Sequence, residues 1–200
     1  MSRLTKTIIS IIEAKYVASV NELAETLQAS PKNIAAILHY LVKTRRISRV
    51  RKGLYADKNA IMDPMVIATA LFEPSYVSFT TALSLYGVVD QLASIIEVAV
   101  PYSLPRTSRK ILVNGVFVKY YKMKPDFMFG YRYRESNVVR GYYYYIAIPE
   151  KAFLDYIYKF GDPEATLTVN WDKLRTRLLL RLSRKYPVRV RELLKQKLQE

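Results

Sequence analysis

Two helix starts only eleven residues apart, at Ser19 and Ser30, govern what the first part of this chain can become. Ser19 is followed three positions on by Glu22, the pattern of a capping box, in which each side chain takes up the other residue's free backbone N–H. Ser30 is followed by Pro31, which suits the first helical position because an N–H there would lack a partner anyway. Between the two starts fits one short helix with Leu23 and Leu27 inward, then a turn around Ala29. Ahead of Ser19, the residues Ile8, Ile9, Ile11 and Ile12 give Thr5–Ala14 one apolar stripe, as a helix lying on a core needs. After the third helix, Ile47-Ser48-Arg49-Val50-Arg51-Lys52-Gly53-Leu54-Tyr55 alternates apolar with basic residues around a turn at Lys52-Gly53, the pattern of a hairpin. Three helices and a basic hairpin within residues 1–60 follow the order of a winged helix-turn-helix, whose third helix enters the major groove of DNA.

The third helix divides cleanly on a helical wheel of about 100° per residue. Ile34, Ile37, Leu38 and Leu41 fall on one side, and Lys32, Asn33, Ala36, Tyr40 and Lys43 on the other. A small residue at Ala36 lets the helix come close to a groove, where its polar and basic neighbours reach base edges and phosphates. The bland alternative is a solvated helix face. Arg45 follows the helix, and the hairpin places Arg49, Arg51 and Lys52 at the phosphate backbone while Ile47, Val50 and Tyr55 stay near the core. These nine residues are the candidate DNA contacts. His39, the only histidine, sits on the flank of this helix, either as a phosphate or base contact or as an exposed residue with no special role.

The charge supports a polyanionic partner. The chain has 32 Lys and Arg against 17 Asp and Glu, a net +15. Residues 1–60 hold 11 basic and 4 acidic side chains, residues 61–160 hold 11 and 8, and residues 161–200 hold 10 and 5, so the excess sits at the two ends. Nucleic acid is the commonest partner for such a field. The absence of cysteine excludes thiolate metal sites, cysteine nucleophiles and disulfides, and fits a reducing compartment. No apolar run approaches the roughly 20 residues that cross a bilayer, and the N-terminal segment lacks a signal-peptide pattern. A cytoplasmic protein is expected, without cofactor or metal.

A second, mixed α/β unit begins near Asp63-Pro64 and extends over residues 61–160. Met65–Phe72 reads as a helix broken by Glu73-Pro74, and Ser78 as the cap of a helix from Phe79 to Tyr86 ended by Gly87. Ile95–Val100 reads as a strand stopped by Pro101, followed by a polar loop with Arg106, Arg109 and Lys110. Ile111–Val113 and Val116–Tyr121 flank Asn114-Gly115, a strong hairpin signal. Tyr142–Ile148 is a further strand, and Pro149-Glu150 opens a helix through Phe160, with Ala152, Phe153, Tyr156 and Ile157 inward.

Several stretches of this unit resemble the AbiEi-like antitoxins, winged-helix regulators of type IV toxin–antitoxin systems. They are Tyr76-Val77-Ser78-Phe79-Thr80-Thr81-Ala82-Leu83 continuing to Tyr86-Gly87, then Phe127-Met128-Phe129-Gly130, then Ile146-Ala147-Ile148-Pro149-Glu150-Lys151-Ala152-Phe153-Leu154-Asp155 ending at Tyr158, together with Gly53-Leu54-Tyr55 at the hairpin turn. The resemblance covers residues 1–160. It implies an α+β chain whose N-terminal winged helix-turn-helix binds an inverted-repeat operator and represses its own promoter; a homodimer is expected because helix-turn-helix proteins usually read two-fold operators. The second domain would act against a nucleotidyltransferase-like toxin encoded alongside. DNA contacts are implied at Lys32, Asn33, Tyr40, Lys43, Arg49, Arg51 and Lys52. Residues 161–200 match nothing in this pattern. Without a toxin, the same chain is a free-standing transcription regulator.

The remaining features each have two readings. Trp171–Lys185 is helical by pattern, with Leu174, Leu178 and Leu182 along one side and Arg175, Arg177, Arg181, Arg184 and Lys185 around the rest. Pro187 separates it from a last helix carrying Val190, Leu193, Leu194 and Leu198. These leucines pack on the second unit or on another subunit, and the arginines are free to hold phosphates as well. Seventeen tyrosines, clustered at Tyr131–Arg134 and Tyr142–Tyr145, suit a half-buried strand and an interface more than base stacking. Glu97, Asp126, Glu150 and Asp155 are the carboxylates on which a metal-dependent nuclease would have to rest, but Glu150, Lys151 and Asp155 read as architecture: a carboxylate in the first turn of a helix and an i, i+4 pair.

Overall fold

A computed structural model describes residues 1–103 and 110–199; Arg106 and Arg109 of the expected polar loop lie outside the described residues. The described chain is a mixed α/β structure with eight α-helices and two sheets. It opens with α1 (Arg3–Lys15), β1 (Val17–Ser19), α2 (Val20–Thr26), α3 (Pro31–Lys43), β2 (Ile47–Arg51) and β3 (Leu54–Asp57). Both expected helix starts are present. Ser19 and Glu22 form the reciprocal capping box, and the Ser30 hydroxyl accepts from the Asn33 N–H at 3.2 Å. Ile8, Ile9, Ile12, Leu23, Ile34, Leu38 and Leu41 close a core against Ala18, Ile47 and Tyr55 of a three-stranded sheet ordered β1-β3-β2. Strand β1 is additional to the expected elements: three residues between two helices carry too little periodicity to show.

The rest builds a second core around a six-stranded sheet. Its elements are α4 (Pro64–Ala70), β4 (Tyr76–Val77), α5 (Phe79–Leu85), β5 (Ile96–Pro101), β6 (Ile111–Val113), β7 (Val116–Met123), β8 (Tyr131–Glu135), β9 (Tyr143–Ala147) and α6 (Pro149–Phe160). The strand order is β6-β7-β5-β4-β9-β8, with parallel pairs β5/β7 and β4/β9 and the others antiparallel. The β6–β7 turn is made by Asn114 and Gly115, both with positive φ (46° and 80°), as a two-residue hairpin of this type requires. Strand β8 pairs along its whole length with β9, so the tyrosine clusters at Tyr131–Arg134 and Tyr142–Tyr145 belong to one hairpin, as the strand reading expected. The two units are joined by side-chain hydrogen bonds and a shared core. Asp57, 3 % exposed, accepts through Oδ1 from the N–H groups of Asn59 and Ala60 and from the Tyr142 hydroxyl at 2.8 Å, and Ala56 and Ala60 belong to the second core.

The C-terminal helices, α7 (Thr176–Ser183) and α8 (Val188–Lys197), complete that second core with Leu174, Leu179, Tyr186, Val190 and Leu194. Two local expectations are corrected here. Helix α7 starts at Thr176 and not at Trp171, because the Glu150 carboxylate takes the Arg175 N–H (3.1 Å) and its Nε–H (2.8 Å), holding the preceding Leu174 extended; Leu179, not Leu178, is then the deepest leucine. The Ser78 hydroxyl does not cap α5. It donates to Asp155 at 2.8 Å, and Glu97 on β5 accepts the Thr80 N–H in its place.

Asp155 on α6 joins all of these parts. One carboxylate oxygen accepts from the Lys151 ammonium, which also donates to the Tyr76 hydroxyl at 2.8 Å, and from the Tyr186 hydroxyl at 2.7 Å. The other oxygen accepts from Ser78 and from Tyr76. Lys151 and Asp155 are both fully buried, and burial pulls the Lys151 ammonium below its ordinary value while Asp155 opposes the shift. A buried pair is stabilising only while both partners remain, so Asp155→Asn is expected to cost about 3–5 kcal/mol in urea unfolding, well above the effect of Tyr186→Phe. A second expectation concerns acid. Burial pushes the Glu150 carboxyl up, yet the Arg175 and backbone donors outweigh it and leave the group below its usual value. Its contribution is therefore complete above the unfolded carboxylate range near about 4.3 and lost as the pH falls through the lower folded value. Glu150→Gln should remove that part of the acid sensitivity in unfolding measured from pH 6 downward.

Candidate nucleic-acid interface

Helix α3 presents two faces of different chemistry. Ile34, Leu38 and Leu41 are fully buried, whereas Lys32, Asn33, Ala36, Tyr40 and Lys43 are all exposed, with Tyr40 at 55 % despite its size. Ile37, expected inward, is half-buried, and His39 is exposed. The apolar contacts thus fix the orientation of the helix and leave its other side free of structural duty.

The end of α3 carries an unusual cation. The N–H of Arg46 bonds the carbonyl of Leu41 at 2.9 Å, and that of Arg45 bonds the carbonyl of Val42 at 3.0 Å, closing the last turn as a Schellman motif does. In that motif the residue after the cap adopts the left-handed conformation, where glycine is favoured because a Cβ is strained. Here the position is Arg45, with φ +56°. A long basic side chain therefore stands where stability alone selects glycine. Its neighbour Arg46 is also exposed and is a basic residue that the wheel of α3 misses; its signal is the run Lys43-Thr44-Arg45-Arg46.

The hairpin separates its basic residues. Arg49 pairs with Tyr55, whose ring belongs to the helical core, but the register slips before Arg51, which pairs with Leu54. Arg51 consequently lines a groove of about 390 Å³ with Lys15, Glu22, Leu54, Phe72 and Glu73, between the first unit and α4. Arg49 and Lys52 remain exposed outside it. The turn is short and held: Gly53, at φ +76°, accepts the Val20 N–H at the start of α2 at 3.0 Å. All nine candidate contacts are thus exposed on α3, its last turn and the hairpin, and Arg51 alone among them also lines the groove at the junction.

Elsewhere three of the four carboxylates considered for catalysis are engaged, while Asp126 is exposed. Glu97 accepts from the Thr80 N–H and the Tyr121 hydroxyl, and burial pushes its carboxyl above the ordinary value; Glu150 and Asp155 are held as described. Among the described residues no group of three or more His, Asp or Glu is placed to hold a metal ion, and no helix is long and apolar enough to cross a membrane. No protein-family model matches the chain, and no curated protein is significantly similar to it.

The two faces of α3 should separate in unfolding experiments. Lys32→Ala and Tyr40→Ala are expected to change stability by no more than about 0.5 kcal/mol, and Leu38→Ala to cost about 2–5 kcal/mol. Arg45→Gly should go the other way and stabilise by about 1 kcal/mol, since it relieves the left-handed strain.

Proposed function

We propose that residues 1–60 form a winged helix-turn-helix that binds double-stranded DNA, and that the chain is a transcriptional regulator and not an enzyme. The observation that carries this reading is the division of α3: an apolar side fully spent on the core, and an opposite side of Lys32, Asn33, Tyr40 and Lys43 around the small Ala36. Such a helix approaches a groove closely, with donors for base edges and cations for phosphates. Arg49 and Lys52 at the hairpin tip, and Arg45 at its strained position, extend the basic surface. A surface with no structural duty that nevertheless keeps a costly arginine is the mark of a binding site.

The operator is an inverted repeat bound by a homodimer, because helix-turn-helix proteins usually read two half-sites one helical turn apart. The resemblance to AbiEi-like antitoxins adds the biological setting: autorepression, with the second unit acting on a nucleotidyltransferase-like toxin encoded alongside. The same DNA chemistry serves a free-standing regulator, and a toxin reading frame beside the gene distinguishes the two. A cytoplasmic location accompanies either role.

Fluorescence anisotropy with a labelled duplex of the upstream region tests the DNA reading. Binding should prefer the native duplex over a scrambled one and weaken in Lys32→Ala/Tyr40→Ala. The Arg49→Ala/Lys52→Ala variant should flatten the dependence of log K on log salt by about 1–2, because each phosphate no longer neutralised by a cation lowers the slope by about 0.9. Equal affinity for both duplexes would leave only a general DNA anchor, and no binding at low salt would sink the proposal.

A further inference from the structure

A small cavity lies where the two units meet, and its walls have the chemistry of a cation site. Strand β4 is only two residues long and pairs with β9 at Ile146 alone, so among the described residues the Tyr143–Tyr145 end of β9 has no neighbouring strand on that side. The gap is a cavity of about 150 Å³, the liquid volume of about five water molecules. Its lining includes Tyr16 at the end of α1, Tyr133 on β8, Tyr143 and Tyr145 on β9, Glu73 after α4, and Lys15.

The aromatic rings are mutually braced. Tyr133 stacks on Tyr143 with centroids 5.0 Å apart and meets Tyr145 at 4.8 Å, while Tyr16 lies 5.1 Å from Tyr142. Tyr133 and Tyr145 are 54 % and 39 % exposed, so these are open ring surfaces and not core. The charges also fit. Lys15 is already matched, its ammonium 2.6 Å from Glu22, and Glu73 makes no ion pair among the described residues. Burial first, and then Tyr16, Tyr145 and Glu73, push the Tyr133 phenol up to about 12, so its hydroxyl stays neutral. Aromatic faces are how alkylated ammonium ions are recognised, and the Glu73 carboxylate in the lining supplies the countercharge.

We propose that this cavity binds a small organic ammonium ion, held against the rings of Tyr16, Tyr133, Tyr143 and Tyr145 and charge-matched by Glu73. The site needs no metal and no bond is made or broken in it. Because its walls come from α1 on one side and from α4, β8 and β9 on the other, a bound ion joins the two units, the position of an effector. The binding does not depend on the DNA-binding reading, and its test contains no DNA.

Isothermal titration calorimetry of the full chain with tetramethylammonium and butylammonium chloride, against matched sodium chloride, is the experiment. Saturable binding with a Kd in the millimolar range or tighter is expected for the ammonium ions and not for sodium. Glu73→Gln and Tyr133→Leu should each weaken it by about tenfold, the factor for about 1.4 kcal/mol. Tyr133→Phe, which keeps the ring, should bind nearly as well as the parent, and circular dichroism would verify that each variant is folded. Lys15→Met should bind as tightly as the parent or more so, because it removes the competing cation from the lining. Absence of saturation in both the parent and Lys15→Met would overturn the proposal, and so would binding indifferent to Glu73→Gln and Tyr133→Leu.

Discussion

The Asp155 carboxylate is the point to which the second unit is tied. Its two oxygens receive Lys151, Tyr186, Ser78 and Tyr76. These four donors come from its own helix, the C-terminal region, the entrance to α5 and the central strand β4. A buried anion is costly unless every lone pair is met, and here the cost is offset only when all four segments are in place. The network therefore rewards one arrangement and penalises near misses, which a purely apolar core of the same size would do less strictly. It also holds Phe79, which follows Ser78 with φ +54°, a conformation a bulky residue does not choose unaided.

This explains why the C-terminal helices are part of the domain although their composition suggests an appendage. Tyr186 lies between α7 and α8, stacks on Phe127 with centroids 4.8 Å apart and sends its hydroxyl to Asp155. Glu150, one turn earlier on α6, fixes the start of α7 through Arg175. Two acidic positions of one helix thereby dock both ends of the following segment. The arginines of α7 stay at the surface because the leucines and Tyr186 supply the contact.

Local signals carried most of what the sequence revealed. Capping residues, the apolar stripe of α1, the Asn114-Gly115 turn and the Pro149–Gly161 bounds of α6 each act within a few residues, so they survive without knowledge of the fold. The two faces of α3 were legible for the same reason. Strands β1 and β4 were not, since three and two residues cannot display a period and exist because neighbouring strands hold them. Ser78 misled because a serine before a helix is a good cap in isolation, and only a carboxylate 77 residues away redirected it. The cavity at the junction was invisible for a stronger reason: Tyr16, Glu73, Tyr133 and Tyr145 are brought together by topology alone.

The slip in pairing between Arg49 and Arg51 has a consequence for how such a hairpin can diversify. In an unbroken ladder, side chains two apart share a side, so basic residues at alternate positions would act as a single row. The extra residue splits that row, so that of two exposed arginines only Arg51 also lines the groove shared with α4. Losing or gaining a single codon here would move a positive charge from one surface to the other while every amino-acid type stayed the same. Length, more than substitution, is then the economical variable by which descendants of this chain would reassign a cation between an outside partner and the inner junction.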